Sequence, residues 1–354
     1  MAVIGVGLIG GSVALAARER LDASVAGYDE SPAALRAALN RGVIDRAAGS
    51  VSDAVEGVQA VFVAAPVGSL AELVGQVLTA AGEDCVVSDV GSTKRAIVAA
   101  HDDPRFVGGH PLAGAETAGV ENARADLFDG ATWYLTPGAS TSGVLYERLH
   151  RLLFGLGARP TAIEPETHDR MLAAVSHLPH VLANVLVAQA AGTLAAGSER
   201  LPAAGPSFRD AVRVAGAPSA IWTDIYVSNS DALLDEIDGV MARLTAVRAA
   251  LQAGDSAAVT AWNDAAAEDR RRLLEGQLAG GEVFELRASV PNRPGVVAQL
   301  ALELGRAGVN ITDMALYPAS DMREGVIALW IAGADAAERA QELVVGLGFP
   351  VARP

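Results

Sequence analysis

The sequence predicts an α/β chain: a doubly wound parallel sheet comes first, an all-α domain second and a small α+β domain of βαββαβ order last. Three observations predict it. Strand-like apolar runs alternate with helical stretches up to residue 165, the pattern is helical throughout from Glu166 onward, and strand-like runs return after the Gly280-Gly281 pair. The expected domains are residues 1–165, 166–280 and 281–354, since a chain of 354 residues is too long for one small core.

Ala2-Val3-Ile4 reads as the first strand and runs directly into Gly5-Val-Gly7-Leu8-Ile9-Gly10, which opens an apolar helix over 11–19. The next strand, 23–29, ends on Asp29. Glycines in this spacing between a strand and a helix, with an acid roughly twenty residues on, mark a dinucleotide-binding βαβ unit of Rossmann type. Gly5 permits the tight turn, Gly7 lets the backbone approach a pyrophosphate, and Gly10 lets the helix pack on the strand and aim its N–H groups at the phosphates. Leu8 and Ile9 complete that contact. Asp29 can accept hydrogen bonds from both ribose hydroxyls, and with Glu30 beside it repels a 2′-phosphate, so NAD is expected over NADP. Because almost nothing precedes Ala2, the native start is expected upstream.

Further strands are expected at 60–66, 85–90, 106–109, 131–137 and 159–164, with helices over 69–80 and 141–155. Pro66 ends its strand at the edge where the cofactor is expected, because the ligand crevice of such a sheet lies at the carboxyl ends of its strands. Beyond Pro165 the expected helices are 166–196, 208–214, 221–228, 231–253 and 256–278. Their apolar faces call for a partner, and an antiparallel homodimer is the economical solution. Strand 283–290, a turn at 292–295, helix 296–307, strands near 308–311 and 325–331 and a closing helix 334–346 make up the last domain.

Composition narrows the function classes. The net charge of −15 argues against nucleic acid and against an anionic membrane surface as partners, so an anionic substrate needs specific Arg or Lys residues around it. The nearest approach to a bilayer span, 181–196, is interrupted by Asn184, Gln189 and Gly192, and the N-terminus reads as a strand rather than a signal peptide. A cytoplasmic protein is expected. Cys85, the one cysteine, sits in an apolar strand and reads as a buried structural thiol.

Four segments carry chemistry. His110, in Gly109-His-Pro-Leu-Ala-Gly114, falls where a strand delivers its side chains into the crevice; a neutral imidazole there is a natural general base. A loop histidine bonded to backbone is the competing reading. In Asp89-Val-Gly-Ser92-Thr-Lys94, Ser92 could bond His110 or the nicotinamide side and Lys94 could meet an anion, with plain helix capping as the alternative. His177 and His180 stand three residues apart on one helix face, with Pro179 as a kink; the spacing is not that of a zinc hydrolase and no metal is expected. Arg213, with Asp210 just before it and Trp222 on the next helix, could fork a carboxylate.

In this order the segments resemble the prephenate dehydrogenase family, as do Gly5-Val-Gly-Leu-Ile-Gly10, Ser176-His-Leu-Pro-His180 and the Asp210, Arg213 and Trp222 group. The last segment, with Pro291-Asn-Arg-Pro-Gly295 and Gly308-Val-Asn-Ile311, looks like an amino-acid-sensing ACT domain. The resemblance implies NAD-dependent oxidative decarboxylation of prephenate to 4-hydroxyphenylpyruvate, in L-tyrosine biosynthesis. It implies His110 as base, Ser92 aligning it, Arg213 on a substrate carboxylate, His177 and His180 lining the pocket, and Glu116 with Asp210 gating it through ion pairing. It further implies tyrosine as effector, with Asn292, Gly295 and Asn310 offering groups to it. The open alternatives are arogenate as substrate, a β-hydroxyacid or imine oxidoreductase, and a non-catalytic sensor of nucleotide and amino acid.

Overall fold

The computed structural model describes residues 1–114, 117–196, 205–277, 283–291, 311–319 and 323–352, with single positions between 296 and 309. These residues pack as two units, Met1–Met241 and Ala242–Pro354.

The first unit opens with β1 (Ala2–Ile4), α1 (Leu8–Leu21), β2 (Ala26–Tyr28), α2 (Pro32–Asn40), β3 (Arg46–Ala47), α3 (Val51–Val55), β4 (Ala60–Val63) and α4 (Val67–Ala80). It continues through β5 (Val86–Asp89), α5 (Arg95–Ala100), β6 (Phe106–Pro111), β7 (Thr132–Pro137), α6 (Gly143–Gly155) and β8 (Arg159–Ala162). One sheet of order β3-β2-β1-β4-β5-β6-β7-β8 results. Both faces are covered. Phe62 and Val3 point to the side of α1 and α6, where Val13, Leu149 and Leu153 are buried. Their neighbours Val61, Val63 and Ile4 point to the side of α4, among Leu70, Val74 and Val77. Side chains alternating between two cores explain why these strands are apolar throughout rather than at every second residue.

The glycine turn is sterically closed. Gly5 adopts φ +92°, and a Cβ there would stand 2.1 Å from the Ala64 carbonyl oxygen; one on Gly10 would stand 1.9 Å from the Gly5 oxygen. Only glycine fits either position.

The expected all-parallel sheet needs one correction: β7 runs antiparallel to β6, and β8 is parallel to β7. Residues 112–131 join β6 to β7, and among the described residues of that segment the short turn Val120–Asn122 stands where a parallel pair would require a crossover helix. That excursion packs Val120, Ala123 and Phe128 into the core beside α1.

Helices come next: α7 (Pro165–Leu172), a π-helical turn at Ala173–His177, α8 (Leu178–Ala196), α9 (Pro206–Ala211), α10 (Ser219–Ser228) and α11 (Ser230–Ala253). Pro179 has no N–H to give the Val175 carbonyl, and the widened turn stands directly before it. The helix Pro165–Thr193 is, by length and composition, apolar enough to cross a membrane, with a mean hydropathy of 1.6 over 18 residues, unlike the interrupted stretch expected from 181 onward. Its first turns bury His168, Asp169 and Leu172, whereas Val185, Leu186 and Val187 are exposed.

The second unit contains α12 (Ser256–Gln277), β9 (Val283–Pro291), β10 (Ile311–Pro318), β11 (Glu324–Ala332), α13 (Ala334–Gly346) and β12 (Val351–Ala352). Its strands form an antiparallel sheet of order β10-β11-β9-β12. Ala337, Ala340 and Val344 of α13 share a core with Leu286, Ile327 and Leu329. Most of the helix expected at 296–307 lies outside the described residues, though Val296, Leu300 and Leu304, spaced along one helix face, are buried in that core. Asn292, Gly295 and Asn310 also lie outside the described residues.

Candidate active site

The site is built at the carboxyl ends of β5 and β6. Asp89 closes β5, and its Oδ2 accepts the Gly91 amide at 2.8 Å while Oδ1 accepts the Gly109 amide at 3.0 Å. Lys94 donates its ammonium to Asp89, and both side chains are fully buried. This corrects the expectation that Lys94 meets an anionic ligand, since its charge is already committed inside the protein. Burial pushes the Lys94 pKa below the usual lysine range, against the pull of Asp89 and Asp169.

His110, just past the end of the expected strand, is 8% exposed near the end of β6. Its Nδ1 lies 2.9 Å from Nε2 of His168, and Nδ1 of His168 lies 2.7 Å from Oδ1 of Asp169. Asp169 also accepts the backbone amides of Lys94, at 2.8 Å, and Arg95, at 3.0 Å. Burial opposes ionisation of Asp169, but these hydrogen bonds outweigh it and hold the carboxyl below its usual range. Burial lowers His110 well below the ordinary histidine value, and its neighbours His168, Lys94 and His177 disfavour a second positive charge there. His110 is therefore neutral at pH 7, as a base must be.

On the opposite wall, Asn229 donates from Nδ2 to the Asp169 carbonyl at 2.7 Å and to Nδ1 of His177 at 3.2 Å. With Nδ1 accepting, the proton of neutral His177 sits on Nε2, which is buried with no hydrogen-bond partner among the described residues. A buried donor left unsatisfied calls for an acceptor on a ligand. Burial drives the His177 pKa down to about 4. His180, three residues on, stacks on Trp222 with ring centroids 3.5 Å apart, and Trp222 also meets His177 edge-on. Burial and then the Arg213 charge lower the pKa of His180. Asp210 is exposed in the last turn of α9 and Arg213 two residues beyond its end. The ring contacts of Trp222 with His177 and His180, and the effect of the Arg213 charge on His180, bring these four residues together.

Ser92 is half-buried in the β5–α5 turn, and among the described residues no hydrogen bond joins it to His110, whose Nδ1 is held by His168. Glu116 lies outside the described residues. At the nucleotide end, Asp29 Oδ2 accepts the Val6 amide at 2.9 Å and Oδ1 accepts that of Ser31 at 2.8 Å. Among the described residues no side chain caps α1 at Gly7 and none lies within 4 Å of a Cβ built there, so the space over the turn fits a pyrophosphate. Leu8 and Ile9 are half-buried in the first turn of α1, and Pro66 is exposed where β4 gives way to α4. Cys85 is buried, and burial raises its thiol to about 11, which leaves it inert.

Sequence reasoning missed His168, Asp169, Asn229 and Arg95, whose guanidinium forks the Asp231 carboxylate. His168 meets His110 across 58 residues of chain. The only local signal was an adjacent His-Asp pair just past the helix-opening Pro165.

Comparison with known proteins places the family. Residues 13–162 match the family model described as prephenate dehydrogenase, nucleotide-binding domain, and residues 164–262 match prephenate dehydrogenase, dimerization domain. The prephenate dehydrogenase of Bacillus subtilis (strain 168) is 32% identical over 350 residues, spanning 96% of this chain and 94% of that relative. Among solved structures, prephenate dehydrogenase from A. aeolicus in complex with hydroxyphenyl propionate and NAD+ is 28% identical with a TM-score of 0.69, covering 77% of this chain and 97% of that one. Synechocystis arogenate dehydrogenase is 26% identical with a TM-score of 0.67, covering 77% and 99%.

Proposed function

The chain belongs to the prephenate dehydrogenase family, and from that premise we propose that His110 is the base with which it oxidatively decarboxylates prephenate to 4-hydroxyphenylpyruvate. The protein is an NAD-linked oxidoreductase; bound NAD+ supplies the hydride acceptor. One observation carries the base assignment. The imidazole of His110 is buried at the end of β6 with its Nδ1 engaged by His168, so Nε2 is the nitrogen left to act. Nε2 takes the proton of the ring hydroxyl as hydride leaves that carbon for NAD+, departure of the ring carboxylate as CO₂ leaves the ring aromatic, and the phenolate oxygen takes the proton back. His177 offers its unpartnered Nε2–H to a substrate oxygen, and Arg213 holds a carboxylate in charge-assisted contact. Ser92, Asp210, Glu116 and His180 belong to the same proposed pocket, as do Gly5, Gly7, Leu8, Ile9, Gly10, Asp29 and Pro66 to the nucleotide site. The exposed apolar residues of α8 and the match to a dimerization domain support a homodimer. The antiparallel sheet of the second unit supports an ACT-like tail, and tyrosine is the effector proposed for it as the end product of the pathway. A cytoplasmic location completes the reading.

His110→Asn should lower kcat by about 10²–10⁴, the range for loss of a general base, with substrate KM changed only modestly. NADH formation with prephenate, and separately with arogenate, is the assay. Near-native kcat in the variant would remove His110 from the role, and a preference for arogenate would reassign the substrate.

A further inference from the structure

The buried pair His168 and Asp169 takes no direct part in the chemistry proposed for His110, and its geometry dictates where protons sit. An ionised carboxylate only accepts hydrogen bonds, so Nδ1 of His168 must donate to Asp169. A neutral His168 then has a bare Nε2, which must accept from Nδ1–H of His110. That leaves Nε2 of His110 without a proton. We propose that Asp169 and His168 are positioning residues that fix His110 in its Nδ1–H tautomer and aim the unprotonated Nε2 at the substrate hydroxyl.

The scaffold around the pair supports this role. His110 and Tyr134 stand opposite each other in the antiparallel β6–β7 register and so project from one face of the sheet. The His168 ring meets both edge-on, with centroids 5.1 Å from His110 and 5.7 Å from Tyr134. Asp169 is held by the Lys94 and Arg95 amides, and its carbonyl is fixed by Asn229, so the carboxylate has little freedom to turn. A buried base that could choose between two tautomers would present a lone pair only part of the time; the chain from Asp169 removes the choice.

The proposal rests on His110 being the base, and its test separates the two ideas. Long-range ¹H–¹⁵N correlation of the intact protein labelled at histidine, with signals assigned by His110→Asn and His168→Gln, reads the tautomers directly at neutral pH. His110 and His168 should both carry the proton on Nδ1, and His177 on Nε2. A proton on Nε2 of His110, or an imidazolium at His168, overturns the proposal whatever the activity. Kinetics give the second arm. His168→Leu should lower kcat by about 10- to 100-fold, the usual loss when a group orienting a functional histidine is removed, with both KM values little changed. His168→Gln should recover most of the rate, because an amide offers an acceptor to His110 and a donor to Asp169. Native kcat in the leucine variant, or a glutamine variant as slow as leucine, overturns it. An intact protein with the expected tautomers but no activity on prephenate would instead sink the functional reading alone.

Discussion

Lys94 shows how a single residue can be read correctly for place and wrongly for purpose. A lysine after a glycine turn at a strand end resembles an anion binder, and nothing in local spacing says that Asp89, five residues back, has already captured it. Removing two charges from water is offset only when geometry and additional hydrogen bonds satisfy both, and here Asp89 also takes the Gly91 and Gly109 amides. Breaking one side of the pair should therefore be severe: Lys94→Met is expected to lower unfolding free energy by about 3–5 kcal/mol in urea titrations. A loss below about 1 kcal/mol would mean that the amides alone satisfy Asp89. His177 makes a second prediction at this scale. Its folded pKa of about 4 lies below the ordinary 6.5, so between those values the unfolded chain binds a proton that the folded chain refuses. Stability should fall as pH drops from 6.5 through 4, by up to about 3 kcal/mol from this group, and level off below. His177→Gln, which cannot titrate, should show a shallower acid limb, so its gap from the native protein narrows as pH falls; a constant gap would place the acid sensitivity elsewhere. His110 was legible because a strand end exposes its chemistry in one short motif. Its partners were not, because side chains that meet only after folding leave no periodic trace.

Among elements, the site depends on two departures from regularity that the sequence pattern conceals. The alternation of strands and helices predicted the sheet, but an antiparallel β7 has the same residue pattern as a parallel one. Only its connection, whose described residues hold no crossover helix, distinguishes them. That reversed strand sets Tyr134 opposite His110 and gives His168 its second ring contact. The π-helical turn at Ala173–His177 is the other departure. Pro179 reads from sequence as a kink, yet its effect is to widen the preceding turn, which sets the angle between His177 and His180 around the helix. Pro179→Ala supplies the missing N–H to the Val175 carbonyl and should let the turn close to regular α-helix, rotating the helix beyond it by about 100° per residue gained. The expected result is a fall in kcat/KM for prephenate of about 10-fold or more with no loss of melting temperature, since Pro is unfavourable in a helix interior. Unchanged kinetics would show that packing of Leu172 and His177, rather than the proline, holds the widened turn.

At the scale of the whole chain, net charge bears on substrate affinity and the second unit on the regulation proposed for it. With a net charge of −15, substrate dianions gain nothing from the overall field, and affinity for them must come from local groups, for which Arg213 and the His177 N–H are the proposed ones. In the tail β9, β11 and α13 were readable because they carry strong periodic patterns, whereas the strand expected near 308–311 stands at Ile311–Pro318, and the observed sheet order β10-β11-β9-β12 places the first strand between the third and the last. A ligand for it was not readable, since an effector site is a matter of a few polar groups and not of pattern. If the tail senses tyrosine, thermodynamic linkage fixes the form of the effect: tyrosine must weaken prephenate binding by the same factor as prephenate weakens tyrosine binding. Calorimetry on the intact protein should show saturable tyrosine binding, weakened by about 5- to 150-fold when prephenate is present, the usual span of such coupling. Equilibrium titrations in the reverse order must return an equal factor. Tyrosine and prephenate that exclude each other without limit, with inhibition strictly competitive, would move control to the pocket of His110 and Arg213 and leave the tail a structural role.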